Sequence, residues 1–444
     1  MQLSSLLGHT REILSRIQQS DKPADSLIDS FFRTRKYLGS HDRKFIAETT
    51  YGTLRHLRKC QTLVEAALGD ETNTFSSTDK VVLSIAAYLN QIDGSQDLHD
   101  TDLSPLLESD KARSSLGAFL RHLKEIPPDA GASLRDLGVE YSFPDWLARK
   151  FQDQYGPEEA RELCESLNTP APLNIRVNTL KAGPDECMKR LHSEGIETIR
   201  TKLSEVGLVV SKRTNMFRIP AFKEGFFEVQ DEGSQLLGAL VDPRPVWKVL
   251  DACAGAGGKT LHMAAIMKNR GEIVASDINA FRLNELRKRA RRAGAFNIRV
   301  QTTDEVQSQD RFREAFDVVF IDAPCSGLGT LRRNPGLKWT VTGEGIRELS
   351  VKQLHIMETH APFVREQGVM YYATCSLLHE ENQAVIAEFL NRHSEFAPVD
   401  LTPAAVKAGL AGQVKDGFFF LYPHKEGTDG FFCGAVQRRK SDSQ

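Results

Sequence analysis

The spacing of hydrophobic residues separates a helical front of the chain from an alternating rear. The front, residues 1–138, shows helical periodicity and no strand-like alternation, so we predict that it is all-helical. At its start, one helix face is predicted to carry Leu3, Leu6, Leu7, Leu14 and Ile17. The paired prolines Pro127 and Pro128 break the helical pattern and indicate a linker.

Residues 139–235 have a mixed pattern that predicts a small α+β domain. A strand is predicted over residues 173–180, and a helix is predicted to begin at Pro184, because proline is well tolerated in the first turn of a helix. Short apolar runs at 207–210 and 226–229 predict two further strands.

From residue 236 to residue 440, short apolar strands alternate with helices. The predicted strands are 247–251, 272–276, 298–301, 316–321 and 368–373, with two late strands at 418–421 and 431–436. This alternation is typical of βαβ units, so the predicted fold class is α/β, with a doubly wound, mostly parallel, Rossmann-like sheet. Such a sheet binds its ligand at the carboxyl ends of its strands, and functional residues are therefore expected directly after them.

Composition narrows the class of protein only slightly. The chain has 444 residues and a formal net charge of −2. No apolar run approaches the roughly 18 residues that a membrane span needs, and the N-terminus lacks the features of a secretory signal. We therefore expect a cytoplasmic protein that does not bind membranes. The seven cysteines are odd in number and include no CxxC pair, so neither a disulfide framework nor a metal site is expected.

Positive charge is concentrated in one segment. Between residues 282 and 299 there are seven basic residues and a single acid, Glu285. The basic residues are Arg282, Arg287, Lys288, Arg289, Arg291, Arg292 and Arg299. Such a run is usually a solvated helix face, and it is also the footprint expected where the phosphates of a nucleic acid pass.

A glycine-rich loop, residues 251–260, follows the first strand of the rear sheet and reads Asp-Ala-Cys-Ala-Gly-Ala-Gly-Gly-Lys-Thr. A Walker A loop would fit the closing Gly-Gly-Lys-Thr but requires glycine at Cys253. A dinucleotide loop would fit Gly255 and Gly257 but requires glycine at Thr260. The third interpretation is an S-adenosylmethionine loop, in which small residues let the backbone approach a nucleoside.

Two acids follow the next two strands. Asp277 closes the second strand, where a carboxylate can accept hydrogen bonds from both hydroxyls of a ribose. Asp304 follows the third strand and is placed to receive the amino group of an adenine. These acids favour a nucleoside-containing cofactor and fit either NAD or S-adenosylmethionine.

Two cysteines follow the fourth and fifth strands. Cys325 belongs to an Asp-Ala-Pro-Cys segment that begins at Asp322, and Cys375 belongs to a Thr-Cys-Ser segment. If both side chains point inward, they face one pocket beside the nucleoside site. A cysteine becomes a good nucleophile where a nearby cation lowers its pKa, and Lys259, Arg332 and Arg333 could supply that charge.

With these motifs, the chain resembles the RsmB/Sun family of RNA cytosine-5 methyltransferases. The paired Pro-Cys and Thr-Cys segments are the most specific mark of the family, and the resemblance implies S-adenosylmethionine as cofactor and RNA as partner. It implies that Cys375 attacks C6 of a cytosine, that Cys325 assists release of the covalent adduct, and that Asp322 hydrogen-bonds the base near the cofactor. Lys259 is counted with this catalytic group.

The resemblance also implies which residues bind the cofactor. By position these are Cys253, Ala254, Gly255, Ala256, Gly257, Gly258, Lys259, Asp277, Asp304 and Asp322. The family loop usually reads Cys-Ala-Ala-Pro-Gly-Gly-Lys, so this chain departs from it at Gly255 and Ala256. The basic helix 282–293 is then expected to hold the RNA backbone, and reversing the charge of Arg289 and Arg292 is expected to weaken RNA binding but not cofactor binding.

The resemblance covers most of the chain. Residues 1–138 resemble the NusB-like helical RNA-binding domain of the family, and residues 139–235 resemble its small α+β (RRM-like) extension. Residues 236–440 resemble its methyltransferase domain and end in the Asp-Gly-Phe-Phe signature at 429–432. The NusB-like front favours small-subunit (16S) ribosomal RNA as the substrate, by analogy only.

Alternatives remain open. The same chemistry could act on transfer RNA, and a non-enzymatic RNA-binding protein could keep a degenerate methyltransferase fold. A non-enzymatic protein of this kind is expected to have lost a motif cysteine or an acid at a strand end, and this chain has lost none. A nicotinamide oxidoreductase would leave Cys325 and Cys375 without a role. We expect the protein to be a monomer.

Overall fold

The computed structural model describes residues 1–20, 22–127, 136–212 and 214–440. Pro128, the second proline of the predicted linker, lies outside these residues. The chain forms two compact units. The helical unit comprises Met1–Thr169 and Leu331–Val341, and the sheet unit comprises Pro170–Thr330 and Thr342–Gln444.

The helical unit is built from amphipathic helices, as its periodicity predicts. They are α1 (Leu3–Gln18), α2 (Ala24–Thr34), α3 (Ser40–Arg55), α4 (Leu57–Leu68), α5 (Ser77–Ala87), α6 (Asp100–Leu103), α7 (Asp110–Glu125), α8 (Leu137–Glu140), α9 (Asp145–Tyr155) and α10 (Pro157–Leu167). The apolar faces of α1 to α7 form one core that includes Leu7, Leu14, Phe31 and Phe119. Burial of these faces is what holds the helices together.

The sheet unit begins with a small antiparallel sheet. Its elements are β1 (Asn174–Val177), α11 (Pro184–Ser193), β2 (Thr198–Arg200), β3 (Gly207–Val210), α12 (Pro220–Lys223), β4 (Phe227–Val229) and α13 (Glu232–Val241). The strand order is β2-β3-β1-β4, and every neighbouring pair is antiparallel. The α+β pattern predicted for this region is therefore present.

A larger sheet follows. Its strands are β5 (Lys248–Asp251), β6 (Glu272–Asp277), β7 (Ile298–Thr302), β8 (Phe316–Asp322), β9 (Val364–Thr374), β10 (Phe396–Val399), β11 (Val414–Lys415), β12 (Phe418–Leu421) and β13 (Phe431–Arg438). The helices are α14 (Gly258–Ile266), α15 (Ala280–Ala293), α16 (Thr303–Gln307), α17 (Leu337–Thr340), α18 (Gly343–His360), α19 (Gln383–Arg392), α20 (Thr402–Lys407) and α21 (Pro423–Glu426). The strand order is β11-β12-β13-β9-β8-β5-β6-β7, with β10 paired to β13.

The order of the parallel strands positions the ligand site. Strands β9, β8, β5, β6 and β7 are parallel, and β5, the first of them in the chain, lies between β8 and β6. The chain therefore reverses its winding direction at β5, and a doubly wound sheet binds its ligand at this crevice. The predicted fold class, an α/β Rossmann-like sheet preceded by a helical region, is confirmed.

One segment after Cys325, Leu331–Val341, belongs to the helical unit. Its Lys338 is fully buried, and its ammonium donates hydrogen bonds to the carbonyl oxygens of Arg55 (3.1 Å) and Ser142 (3.2 Å) and to Asn168 Oδ1 (2.5 Å). Burial lowers the pKa of Lys338 well below its ordinary value. These contacts fix the segment among the helices. The two compact units divide the chain at other places, so they do not test the predicted domain limits at 138 and 235. Those limits stay predictions.

Candidate active site

The glycine-rich loop joins the end of β5 to the start of α14 at the switch point. Gly255 and Gly257 adopt φ angles of +53° and +86°, which favour glycine over residues with a side chain. A Cβ atom on Gly257 would lie 2.6 Å from the Cγ atom of Leu286, a residue buried in α15. The loop can therefore approach α15 closely only because position 257 has no side chain.

A cavity of about 830 Å³ opens beside this loop. Its lining includes nine of the ten residues predicted to bind the cofactor, namely Cys253, Ala254, Gly255, Ala256, Gly258, Lys259, Asp277, Asp304 and Asp322. The tenth, Gly257, shapes the loop without lining the cavity. The structure thus brings the predicted cofactor residues together around one space, while the contact each would make with a ligand stays a prediction.

Asp277 organises the loop as well as facing the cavity. Its Oδ2 atom accepts a hydrogen bond from the backbone N–H of Gly255 (2.9 Å), and its Oδ1 atom accepts one from the N–H of Asn279 (2.8 Å). Asn279 in turn caps the N-terminus of α15. The carboxylate retains lone pairs for further donors, because each oxygen can accept more than one hydrogen bond.

Asp251, which sequence reasoning did not select, is a further acid of the cavity. It is fully buried, Thr260 donates a hydrogen bond to its Oδ2 atom (2.6 Å), and its Oδ1 atom has no hydrogen-bond partner among the described residues. Burial raises the pKa of Asp251 to about 7. An unpaired acceptor beside the cavity fits a cationic amino group such as S-adenosylmethionine carries, so the residues present fit this cofactor.

Lys259 and Asp322 form an ion pair between the glycine loop and the end of β8. The Nζ atom of Lys259 lies 2.5 Å from Asp322 Oδ2. Burial opposes the charged ammonium, but the attraction of Asp322 outweighs it and raises the pKa of Lys259. Lys259 is therefore a cation held beside Asp322, and the negative charge of an ionised Cys375 also favours its protonated state.

The two motif cysteines meet. Cys325 Sγ lies 3.3 Å from Cys375 Sγ, in contact across two different loops. The hydrogen bond with Cys375 and burial hold the pKa of the Cys325 thiol well above its ordinary value. Pro324, directly before Cys325, lines the cavity. The structure therefore brings the two cysteines together next to a cavity residue, although neither cysteine lines the cavity itself, and the pocket that they share stays a prediction.

Two arginines of the basic helix α15 are largely buried. Arg289 and Arg292 are only 22% and 20% exposed, and both pair with the carboxylate of Glu228 on β4. Arg289 also donates a hydrogen bond from Nη1 to the carbonyl oxygen of Ala256 in the glycine loop (2.7 Å). Glu228 carries one negative charge against the two positive charges of Arg289 and Arg292, so it holds both arginines without neutralising them. Their contact with RNA phosphates stays a prediction.

Other cavity residues carried no signal in the sequence. Helix α18 contributes Lys352, His355 and Thr359, and the segment before α13 contributes Gln230. Arg176 of β1, which is buried, donates a hydrogen bond to the carbonyl oxygen of Gly258 at the start of α14 (2.6 Å). These residues lie far from the glycine loop in sequence, so no local motif could mark them.

The fold and the site define the class of protein: a Rossmann-like methyltransferase with paired cysteines. Residues 239–437 match the family model described as 16S rRNA methyltransferase RsmB/F, and residues 143–216 match the RsmF/B-like ferredoxin-like domain. A protein of Synechocystis named a probable ribosomal RNA small subunit methyltransferase B is 31% identical over 441 residues, covering 96% of this chain and 98% of that one. The chain belongs to the RsmB/F family.

Further relatives agree with this assignment. A Bacillus subtilis protein with the same name is 29% identical, covering 99% of this chain and 100% of that one. The crystal structure of PH0851 superposes with a TM-score of 0.75 at 26% identity, covering 97% of this chain and 99% of that one. A methyltransferase homologue from Pyrococcus horikoshii superposes with a TM-score of 0.58 at 27% identity, covering 69% and 99% of the two chains.

The family assignment answers the question that the glycine loop left open. The cofactor is S-adenosylmethionine, which the resemblance predicted, and the Walker A and dinucleotide interpretations fall away. Among the described residues, no helix combines the length and the apolar character needed to cross a bilayer.

Proposed function

We propose that this chain transfers a methyl group from S-adenosylmethionine to C5 of a cytidine in small-subunit ribosomal RNA, through a covalent bond between Cys375 and C6. The observation that carries the proposal is the contact of the two cysteines, 3.3 Å apart, in which Cys325 directly follows the cavity residue Pro324. The names of the relatives favour ribosomal RNA over transfer RNA.

The raised pKa of the Cys325 thiol, together with its contact with Cys375, supports the division of labour. Because the pKa of Cys325 is raised, Cys325 keeps its proton and can donate its S–H to Cys375 Sγ. The thiolate is the nucleophilic form of cysteine, which assigns attack to Cys375 and leaves Cys325 as the proton-bearing partner.

The chemistry requires one covalent bond to form and later to break. The Cys375 thiolate adds to C6 of the cytosine, which makes C5 nucleophilic. Bound S-adenosylmethionine supplies the electrophilic methyl group. A water molecule acting as base then takes the C5 proton, the C5–C6 double bond is restored, and the Cys375–C6 bond breaks with the sulfur taking the electron pair. Cys325 assists this last step, because its thiol can share a proton with the departing sulfur.

Asp322 and Lys259 orient the base. Asp322 is about one-third exposed and lines the cavity, so its carboxylate can accept a hydrogen bond from the cytosine. Lys259 holds that carboxylate in place through their ion pair. A base reaches such a recessed site only when it is unstacked, so the target cytidine is single-stranded or weakly paired.

Bisulfite sequencing of RNA from a deletion strain tests the substrate. We expect loss of methylation at one cytidine of 16S ribosomal RNA, with methylation restored by the wild-type gene but not by a gene carrying Cys375→Ser. Loss at a transfer RNA position with intact ribosomal RNA would move the activity to transfer RNA. Unchanged methylation in both RNAs would contradict the proposal.

A further inference from the structure

Glu381 is a fully buried acid behind the two cysteine loops. It closes the short helical turn His379–Glu381 directly before α19, and none of its surface is exposed. A buried carboxylate is costly unless several donors surround it. Its four side-chain contacts therefore indicate which parts of the structure it holds.

Two of those contacts reach the loop that carries Cys325. The Oε1 atom of Glu381 accepts a hydrogen bond from the backbone N–H of Ser326 (2.8 Å), and its Oε2 atom accepts one from the Ser326 hydroxyl (2.5 Å). Gln353 of α18 donates to the same Oε1 atom (3.1 Å) and to the carbonyl oxygen of Pro324 (3.0 Å). The residues on both sides of Cys325 are thereby held.

The fourth contact reaches the loop that carries Cys375. The hydroxyl of Ser376 donates a hydrogen bond to Oε2 of Glu381, the same oxygen that Ser326 contacts. The two serine oxygens lie 3.3 Å apart. Asn382, the next residue, donates to the carbonyl oxygen of Ser376 (3.1 Å). One carboxylate therefore joins the residues that directly follow each cysteine.

The contacts leave Glu381 without a direct role in chemistry. Four donors from Ser326, Ser376 and Gln353 occupy its two oxygens, its side chain is fully buried, and it does not line the cofactor cavity. A backbone hydrogen bond from the N–H of Gly329 to the carbonyl oxygen of Cys375 (2.8 Å) also joins the two loops, but it involves no side chain. Glu381 is the charged group at their junction.

We propose that Glu381 is a positioning residue that ties the two cysteine loops together and sets the distance between Cys325 Sγ and Cys375 Sγ. Consecutive Cα atoms are only about 3.8 Å apart, so fixing Ser326 and Ser376 restricts the cysteine before each of them. The inference rests on the proposed use of both cysteines in one reaction.

The first test compares Glu381→Gln with Glu388→Gln, a matched change at an exposed acid of α19 that pairs with Arg392 on the surface. Glutamine keeps the shape of Glu381 but loses the charge and one acceptor. We expect kcat for RNA methylation to fall about tenfold to a hundredfold in Glu381→Gln, because small displacements of reacting groups are costly. KM for RNA, affinity for S-adenosylhomocysteine and the kinetics of Glu388→Gln should stay unchanged.

The second test needs neither RNA nor methyl transfer. Phenylarsine oxide bridges two neighbouring thiols: two As–S bonds form, and the arsenic-bound oxygen leaves as water with both thiol protons. We expect the wild type and Glu388→Gln to bind it with the same affinity, Cys325→Ser to lose the bridge, and Glu381→Gln to bind about tenfold more weakly. If the variants show these arsenical affinities but the wild type methylates RNA only weakly, the result would count against the proposed function. It would still support the positioning role of Glu381.

Two outcomes would overturn the inference. The first is a Glu381→Gln variant with wild-type kcat and wild-type arsenical affinity. The second is a fall in kcat that comes with equally weakened cofactor binding, which would indicate general disruption. If Glu381→Gln does not fold, as judged by circular dichroism, Ser376→Ala decides, because it removes one contact of the carboxylate and leaves its charge. Ser376→Ala should weaken arsenical binding, and unchanged binding would overturn the proposal.

Discussion

Replacing Glu228 by glutamine should both loosen α15 and weaken cofactor binding. The Glu228 side chain is only 4% exposed and pairs with both Arg289 and Arg292. Removing one partner of a buried ion pair costs about 3–5 kcal/mol. The two arginines keep about one-fifth of their surface in solvent, and glutamine retains one acceptor. We therefore expect the substitution to lower the local stability of α15 by about 2–3 kcal/mol.

Hydrogen exchange measures this cost locally. Since about 1.4 kcal/mol corresponds to a factor of ten, amides of α15 should exchange roughly 30- to 150-fold faster in Glu228→Gln. Calorimetry with S-adenosylhomocysteine should show weaker binding, because Arg289 holds the glycine loop through the carbonyl oxygen of Ala256. Glu285→Gln is the control: Glu285 forms an exposed pair with Lys288 on the same helix, worth less than about 1 kcal/mol.

The reasoning would be refuted by Glu228→Gln protein whose α15 exchanges at the wild-type rate and whose cofactor affinity is unchanged. That result would mean that solvent already satisfies Arg289 and Arg292. The two arginines would then be available to RNA phosphates, and the interpretation of the helix as an RNA-binding surface would extend to them.

Three further variants test other parts of the site. Asp277→Ala should weaken S-adenosylhomocysteine binding by about 2–4 kcal/mol in calorimetry, because a buried charged acceptor is lost; unchanged affinity would remove Asp277 from the cofactor site. Gly257→Ala should also weaken that binding, since its Cβ atom would meet Leu286. Reversing the exposed Lys288 and Arg291 to glutamate should weaken RNA binding and flatten its salt dependence at constant cofactor affinity; an unaltered slope would make them a solvated face.

Strands β5, β6 and β8 could be predicted because each is a short apolar run that is largely buried on both faces. The strands that were missed lack that signal. Strand β10 contains Pro398, which argues against a strand in the sequence but is tolerated here because β10 pairs with β13 alone. Strands β2 and β11 are short and largely exposed at sheet edges, so their residues need no apolar alternation.

The candidate site could be predicted where residues follow strands in one motif, as for the glycine loop and the two cysteines. The supporting charges could not. Glu228, Glu381 and Lys338 look like ordinary surface residues in the sequence, because a charge is expected to be solvated. Each is buried by partners distant in the chain: Arg289 is 61 residues from Glu228, and Ser326 is 55 residues from Glu381. Only the fold brings such partners together.

The covalent adduct tests the central claim most directly. Each cysteine variant is incubated with substrate RNA and S-adenosylmethionine, and the products are separated by denaturing electrophoresis and mapped by mass spectrometry. Cys325→Ser should accumulate a protein–RNA adduct on Cys375, because attack is intact and release is impaired, whereas Cys375→Ser should form none and should not methylate. An adduct on Cys325 in the Cys375→Ser variant would contradict the account by reversing the two roles.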